Sequence, residues 1–294
     1  MDEKSIIISA GDTVYTVSRS SGLLTSMISN GRELLKSPLR PTVWRAPTDN
    51  DRIIRKEWEK LGYDRAVTFC HYVKLTGTDE APAVEAMLSL GAAARREILN
   101  LTVTYSFSAT SGVKISMDVN VSEKAVHLPR FGVEFIMPED TERIKYFGRG
   151  EAESYVDKRH ASKMGLFSTT VHEHFEHYVR PQENMANADT KWAEIYSYAG
   201  HGILAAKVSG GKDISFNASH FTPKTLTETA HDYELTPMKE TCVNIDYRHA
   251  GIGSHSCGSP LPERWRLDEK KFVFTFRLVP VFASNVDPFD YTDI

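Results

Sequence analysis

Residues 113–121, VKISMDVNV, alternate apolar and polar side chains without a break. Val113, Ile115, Met117, Val119 and Val121 fall on one side; Lys114, Ser116, Asp118 and Asn120 fall on the other. In an extended chain successive side chains point to opposite faces, so this stretch is a strand with one dry face and one wet face. Segments rich in Val, Ile, Thr, Tyr and Phe recur along the chain: SIIIS, TVYTVSR, EILNLTVTYSFSA, FGVEFIM, GILAAKV, ISFNAS, CVNIDYR and KKFVFTFRLVPV. Turn formers such as SSG, SNG, ATSG and SGGK separate them. Strands do not alternate with helices, which argues against a parallel sheet. In a chain of 294 residues, this many strands predicts an all-β fold of two large stacked antiparallel sheets. Helical signals are few. The best is IIRKEWEKLGYD, residues 53–64, which ends at Gly62 and follows an Asx cluster placed to cap it. TPKTLTETA holds one or two further turns. No repeat or linker divides the chain, so residues 1–294 read as a single domain. The acidic tail ASNVDPFDYTDI, residues 283–294, reads as loosely held.

The net charge of −4 and the lack of a basic patch interleaved with aromatics predict no nucleic-acid partner. No apolar run reaches the roughly eighteen residues of a membrane span. Three cysteines, Cys70, Cys242 and Cys257, are too few and too odd in number for a disulfide framework, and fit a reducing compartment. The first twenty residues lack the charged and apolar regions of a signal peptide, so a cytoplasmic location is expected.

Three stretches invite a chemical reading. WRAPTDNDR, residues 44–52, sets Asp49, Asn50 and Asp51 in a row, but lacks the alternating ligands and distant Glu of an EF-hand. A structural corner fits better: Trp44 buried, Pro47 fixing the turn, Arg45 paired with one of the acids, and the Asx residues bonding backbone. VHEHFEHYVRPQEN, residues 171–184, gathers His172, Glu173, His174 and His177. Its spacing is not that of a zinc-binding helix, and the favoured reading is a polar, solvent-facing strand with incidental histidines and no metal. GIGSHSCGSP, residues 251–260, is a glycine-rich loop carrying His255, Ser256 and Cys257. It matches no phosphate-binding motif, but glycines let such a loop line a ligand pocket closely. No local motif singles out a catalytic acid pair among the 39 carboxylates.

Taken in order, these pieces resemble the C-terminal, small-chain domain of the glycoside hydrolase family 2 β-galactosidases. The resemblance runs through SRSSGLLTSMISNGRELLKSPLRPTVWRAPTDNDR, LPRFGVEFIMPEDTERIKYFGRGEAESYVDKRHASKMGLF, YVRPQENMANADTKWAEI and DYRHAGIGSHSCGSP, in family order. It implies an antiparallel β-supersandwich of the galactose-mutarotase-like type. It implies participation in retaining hydrolysis of β-galactosides such as lactose. It also implies that the two catalytic glutamates, with magnesium and sodium, belong to a TIM-barrel domain outside this chain. The partner is then that barrel or a separately encoded large subunit, this chain needs no cofactor, and alone it is inactive. In the family a loop of this domain reaches the sugar. Here that role falls on Cys257, with His255 and Ser256, at a position where the best-known members carry tryptophan. Arg45, Asp49, Asn50 and Asp51 fall at a structural corner or domain interface. Met185 stands where the family commonly has glycine, which suggests a differently built turn. Two other readings compete: a free-standing aldose 1-epimerase-like enzyme using His220, Glu228 or His231 as acid and base, and a carbohydrate-binding module.

Overall fold

The structure, a computed structural model, describes residues 4–254, 258–282 and 287–291. The chain opens with a meander of β1 (Ser5–Ala10), β2 (Thr13–Ser18), β3 (Leu24–Ser29) and the short β4 (Arg32–Glu33). Next come β5 (Arg40–Thr42) and helix α1 (Ile54–Leu61). Four long strands then follow: β6 (Val67–Gly77), β7 (Pro82–Gly91), β8 (Leu99–Ser108) and β9 (Gly112–Val121). The second half holds β10 (Arg130–Met137), β11 (Thr141–Gly150), β12 (Lys163–Thr170) and β13 (Asn187–Thr190). It continues with β14 (Trp192–Ser197), β15 (His201–Lys207), β16 (Ile214–Ser219) and helix α2 (Pro223–Glu228). The strands β17 (Thr241–His249) and β18 (Lys271–Phe282) complete it.

These strands form three sheets. A nine-stranded sheet runs β12-β11-β14-β15-β18-β9-β8-β7-β6, a five-stranded sheet runs β13-β16-β17-β10-β5, and the opening meander forms a four-stranded sheet of its own. The pairings between named strands are antiparallel, as the turn-rich sequence requires. The meander is a third sheet where two were expected.

The nine- and five-stranded sheets face each other across the core. β9 buries the alternating set Val113, Ile115, Met117, Val119 and Val121, and β8 does the same with Leu99, Leu101, Val103, Tyr105 and Phe107. Phe131 of β10 meets Phe272 and Phe274 of β18 edge-on at 5.1 and 6.5 Å, and Tyr247 of β17 stacks on Phe272 at 4.5 Å. These contacts tie one sheet to the other. β16 and β17 are buried on both faces, so they show no alternation in burial. The segment containing residues 171–187 lies over the second face of β16. His174 Nδ1 lies 3.3 Å from the Ala218 carbonyl, and Asn184 O accepts from Asn217 Nδ2 at 2.6 Å.

That cover corrects the expected solvent-facing strand. Residues 171–174 turn, and the chain beyond them is irregular. His172 is exposed, whereas His174 is fully buried, stacked on Phe216 at 5.5 Å, its Nε2 2.7 Å from Asn187 Oδ1. The capping role expected for the Asx cluster is also corrected. Asp49–Asp51 form a 3-10 turn of their own, and α1 begins at Ile54 with no side-chain cap. Part of the closing segment is docked rather than loose. Phe289 packs edge-on to Trp192 at 5.6 Å, and Tyr291 Oη donates to Thr110 O at 3.1 Å.

Candidate functional site

β17 ends at His249, and the chain there enters the glycine-rich loop. The base of that loop is where the separate sequence motifs meet. Arg45 is fully buried, with its guanidinium 5.8 Å from the Trp58 ring. Its Nη1 donates to Ala250 O at 2.6 Å and its Nη2 to Gly251 O at 3.2 Å. The same guanidinium is paired with Asp51: Nη2 to Oδ1 at 2.9 Å and Nε to Oδ2 at 3.3 Å. Asp51 also accepts the Thr48 N–H at 3.0 Å, which closes the 3-10 turn against the arginine. Asn50 Nδ2 donates to Ile252 O at 2.6 Å. The planar arginine fork thus serves a carboxylate and two carbonyls at once, a task suited to its fixed donor geometry.

From the opposite side, Asp157 receives the loop's N–H groups. Ile252 N donates to its Oδ1 at 3.1 Å and Gly253 N to its Oδ2 at 2.8 Å. The approach is so close that a Cβ on Gly251 would lie 2.5 Å from Asp157 Oδ2, so this position has no room for a side chain. The PQEN segment joins the same junction. Gln182 Oε1 accepts from Asp49 N at 3.2 Å, Glu183 N donates to Ala46 O at 3.0 Å, and Glu183 Oε1 accepts from Tyr155 Oη at 3.1 Å. Beneath lies a buried charge cluster. Arg130 donates to Asp246 Oδ1 through Nε and Nη2 at 3.0 and 2.5 Å, and His249 Nε2 is 3.0 Å from Asp246 Oδ2.

A cleft of about 440 Å³ opens on the loop's outer side. Its walls include Ile53, Ile54, His127, Ser254, Pro260 and Leu261. Burial, and then the positive charges of Arg266 and Arg45, push the His127 imidazole down to about 4, so it is neutral at physiological pH. His255, Ser256 and Cys257 lie outside the described residues, and Ser254, which precedes them, borders this cleft.

The structure brings Arg45, Asn50 and Asp51 to the loop base, while Asp49 is exposed and engaged through its backbone. The carboxylates of this junction are taken up in holding backbone and side-chain donors. Asp157, Glu183 and the Arg130–Asp246–His249 cluster lie inside the motif blocks but were not singled out, because one carboxylate receiving two distant N–H groups leaves no spacing signature. The residues offered for epimerase chemistry have separate partners. His220 Nε2 lies 2.8 Å from Glu142 Oε2, His231 stacks on Tyr233 at 5.2 Å, and Glu228 sits on α2. Among the described residues no cluster of His, Cys, Asp or Glu is arranged to hold a metal ion. None of their helices is long and apolar enough to cross a membrane.

The stacked antiparallel sheets define a galactose-mutarotase-like fold. A galactose mutarotase-like protein from Lactobacillus casei superimposes with a TM-score of 0.51 at 10% identity, covering 94% of this chain and 99% of that one. Sequence narrows the class further. The chain belongs to the β-galactosidase small chain family, whose model matches residues 9–278. It is 32% identical over 278 residues to a β-galactosidase of Actinobacillus pleuropneumoniae, covering 95% of this chain and 27% of that protein. It is also 32% identical over 277 residues to one from Staphylococcus xylosus, covering 94% of this chain and 28% of that protein. The chain therefore spans little more than a quarter of the length of these relatives.

Proposed function

We propose that this chain is the C-terminal domain or small subunit of a retaining family 2 β-galactosidase that hydrolyses terminal β-D-galactosides such as lactose. The observation that carries this reading is the convergence of the family's motif blocks at the base of one loop. Arg45, Asn50 and Asp157 hold residues 250–253 from two sides. In this reading the loop presents His255, Ser256 and Cys257 to a sugar held mainly by a partner domain. The partner, a barrel domain or large subunit, supplies the two glutamates and any magnesium or sodium. The chain contributes positioning: a base held from two sides lowers the entropy lost when substrate binds.

Complementation tests the reading. The chain is mixed with a polypeptide carrying the rest of such an enzyme, and hydrolysis of o-nitrophenyl β-galactoside is followed. The chain alone is expected to be inactive and the mixture to gain activity in proportion to added chain. Turnover by the chain alone, or no gain on mixing, would overturn it. A second variant addresses the loop. Sulfur offers far less stacking area than an indole, so Cys257→Trp in the assembled enzyme is expected to tighten binding of the glucose or aglycone portion. An unchanged KM and acceptor affinity would remove Cys257 from the site.

A further inference from the structure

The cleft of about 440 Å³ lies between the start of α1 and the return of the glycine-rich loop. Most of its polar lining is already engaged within the chain. Asn50 Nδ2 donates to Ile252 O at 2.6 Å, both Asp51 oxygens receive Arg45, and Arg266 Nε donates to Leu261 O at 2.9 Å. Glu57 has Lys60 Nζ at 3.6 Å, and the partly buried His127 ring is uncharged. One lining carboxylate, the exposed Asp268, has no hydrogen bond or salt bridge among the described residues.

What is left to meet an occupant is apolar. Ile54, Val126 and Leu261 pack against the core and also line the cleft. Ile53 lines it too, yet it is 55% exposed and is not among the side chains packed on the core. No packing within the described residues accounts for an isoleucine there. Apolar walls open to water mark a contact site, and interface anchors sit in clefts of this kind.

The greater part of each β-galactosidase relative lies outside the region that this chain matches, so those proteins hold ample polypeptide to fill such a cleft. The cleft shares Asn50, Asp51 and Gly251 with the junction that holds the loop. It is therefore continuous with the face assigned above to the partner. A second copy of this chain fits poorly. A two-fold contact would set a concave cleft against itself and bring each Glu57 and Asp268 toward its twin.

We propose that this cleft receives one apolar side chain, of leucine or aromatic size, from the barrel domain or large subunit, with a neighbouring N–H of that partner donating to Asp268. This placement rests on the function proposed above and adds where the two polypeptides lock together.

Titrating the chain against a fixed amount of the polypeptide that carries the rest of such an enzyme tests it. Ile53→Asp sets a charge in the cleft at an exposed position, so the thermal midpoint of the chain is expected to stay level. The chain concentration giving half-maximal hydrolysis of o-nitrophenyl β-galactoside is expected to rise about thirty-fold, as for an interface anchor. KM at saturating chain is expected to be unchanged. Asp268→Asn is expected to raise the half-maximal concentration about five-fold for one weakened hydrogen bond, and it decides the matter if Ile53→Asp lowers the midpoint. Equal titration curves for the variants and the unsubstituted chain would overturn the placement and leave the proposed function standing. A raised KM with an unchanged half-maximal concentration would assign the cleft to substrate and overturn it too. Self-association of the unsubstituted chain in sedimentation, abolished by Ile53→Asp, would give the cleft to a second copy instead. No activity on mixing with the unsubstituted chain would overturn both readings.

Discussion

Removing the Arg45 guanidinium would strand three acceptors together: the Asp51 carboxylate and the carbonyls of Ala250 and Gly251. Breaking one side of a fully buried ion pair costs about 3–5 kcal/mol, so Arg45→Met is expected to lower the urea midpoint steeply. Arg45→Lys should recover little of this, because a single ammonium cannot reproduce the planar fork. Wild-type stability in the lysine variant would refute that account. Met185 makes the opposite kind of prediction. The substitution of methionine for the family's usual glycine suggested a rebuilt turn. Met185 itself sits at φ 52°, in the left-handed region that favours glycine. A side chain in the left-handed region costs about 1–2 kcal/mol, and glycine returns part of that as unfolded-state entropy, so Met185→Gly is expected to stabilise by about 0.5–1 kcal/mol. Chemical denaturation reads the sign directly. His127 adds a pH dependence. Its folded value of about 4 lies below its ordinary 6.5, so between the two the unfolded chain binds the extra proton. Its contribution to stability is full above pH 6.5 and is lost as pH falls toward 4. Buried His174, also pushed down by desolvation, acts with the same sign. In paired melts from pH 7 to 4.5, His127→Phe should lose less stability than the unsubstituted chain; identical slopes would contradict the assignment.

At the scale of elements, β6, β7 and β11 were not read as strands, although β6 and β11 also alternate, whereas strand identity was legible in β8 and β9. It was equally legible for α1, whose predicted stop at Gly62 is its C-cap, with φ 85°. A Cβ there would also lie 2.5 Å from Ala92 Cβ, so Gly62→Ala is expected to destabilise by at least about 1–2 kcal/mol, measurable by thermal melting. What could not be read was how elements cover one another. The segment carrying His172, His174 and His177 looks polar in sequence, yet it folds over β16 and buries His174. The Asx cluster looks like a helix cap because it precedes a helix. Its Asp51 is instead drawn to Arg45, a partner whose other bonds reach carbonyls some two hundred residues away. Polarity does not report the first fact, which arises from contacts distant in sequence. The Arg45–Asp51 pair, six residues apart, was expected, but the arginine's reach to the Ala250 and Gly251 carbonyls was not.

For the whole molecule, the order of the motif blocks along the chain was visible, and with it the supersandwich fold. Their meeting point was not. WRAPTDND, YVDK, PQEN and the glycine-rich loop occupy four separate stretches; the structure brings the first two to residues 250–253 and bonds PQEN to them from behind. Asp157 lies inside the YVDK block but was not singled out there, although it receives two of the loop's N–H groups. That junction serves either the loop or only the fold, and Asp157→Asn in the assembled enzyme proposed above separates the two. The substitution keeps shape but exchanges one acceptor for a donor facing an N–H. If the junction positions the loop, the assembled β-galactosidase should show a KM for o-nitrophenyl β-galactoside raised about ten-fold, the equivalent of roughly 1.4 kcal/mol, with the thermal midpoint of the chain little changed. An unchanged KM, or a loss of activity that only follows the fraction of chain folded, would contradict it.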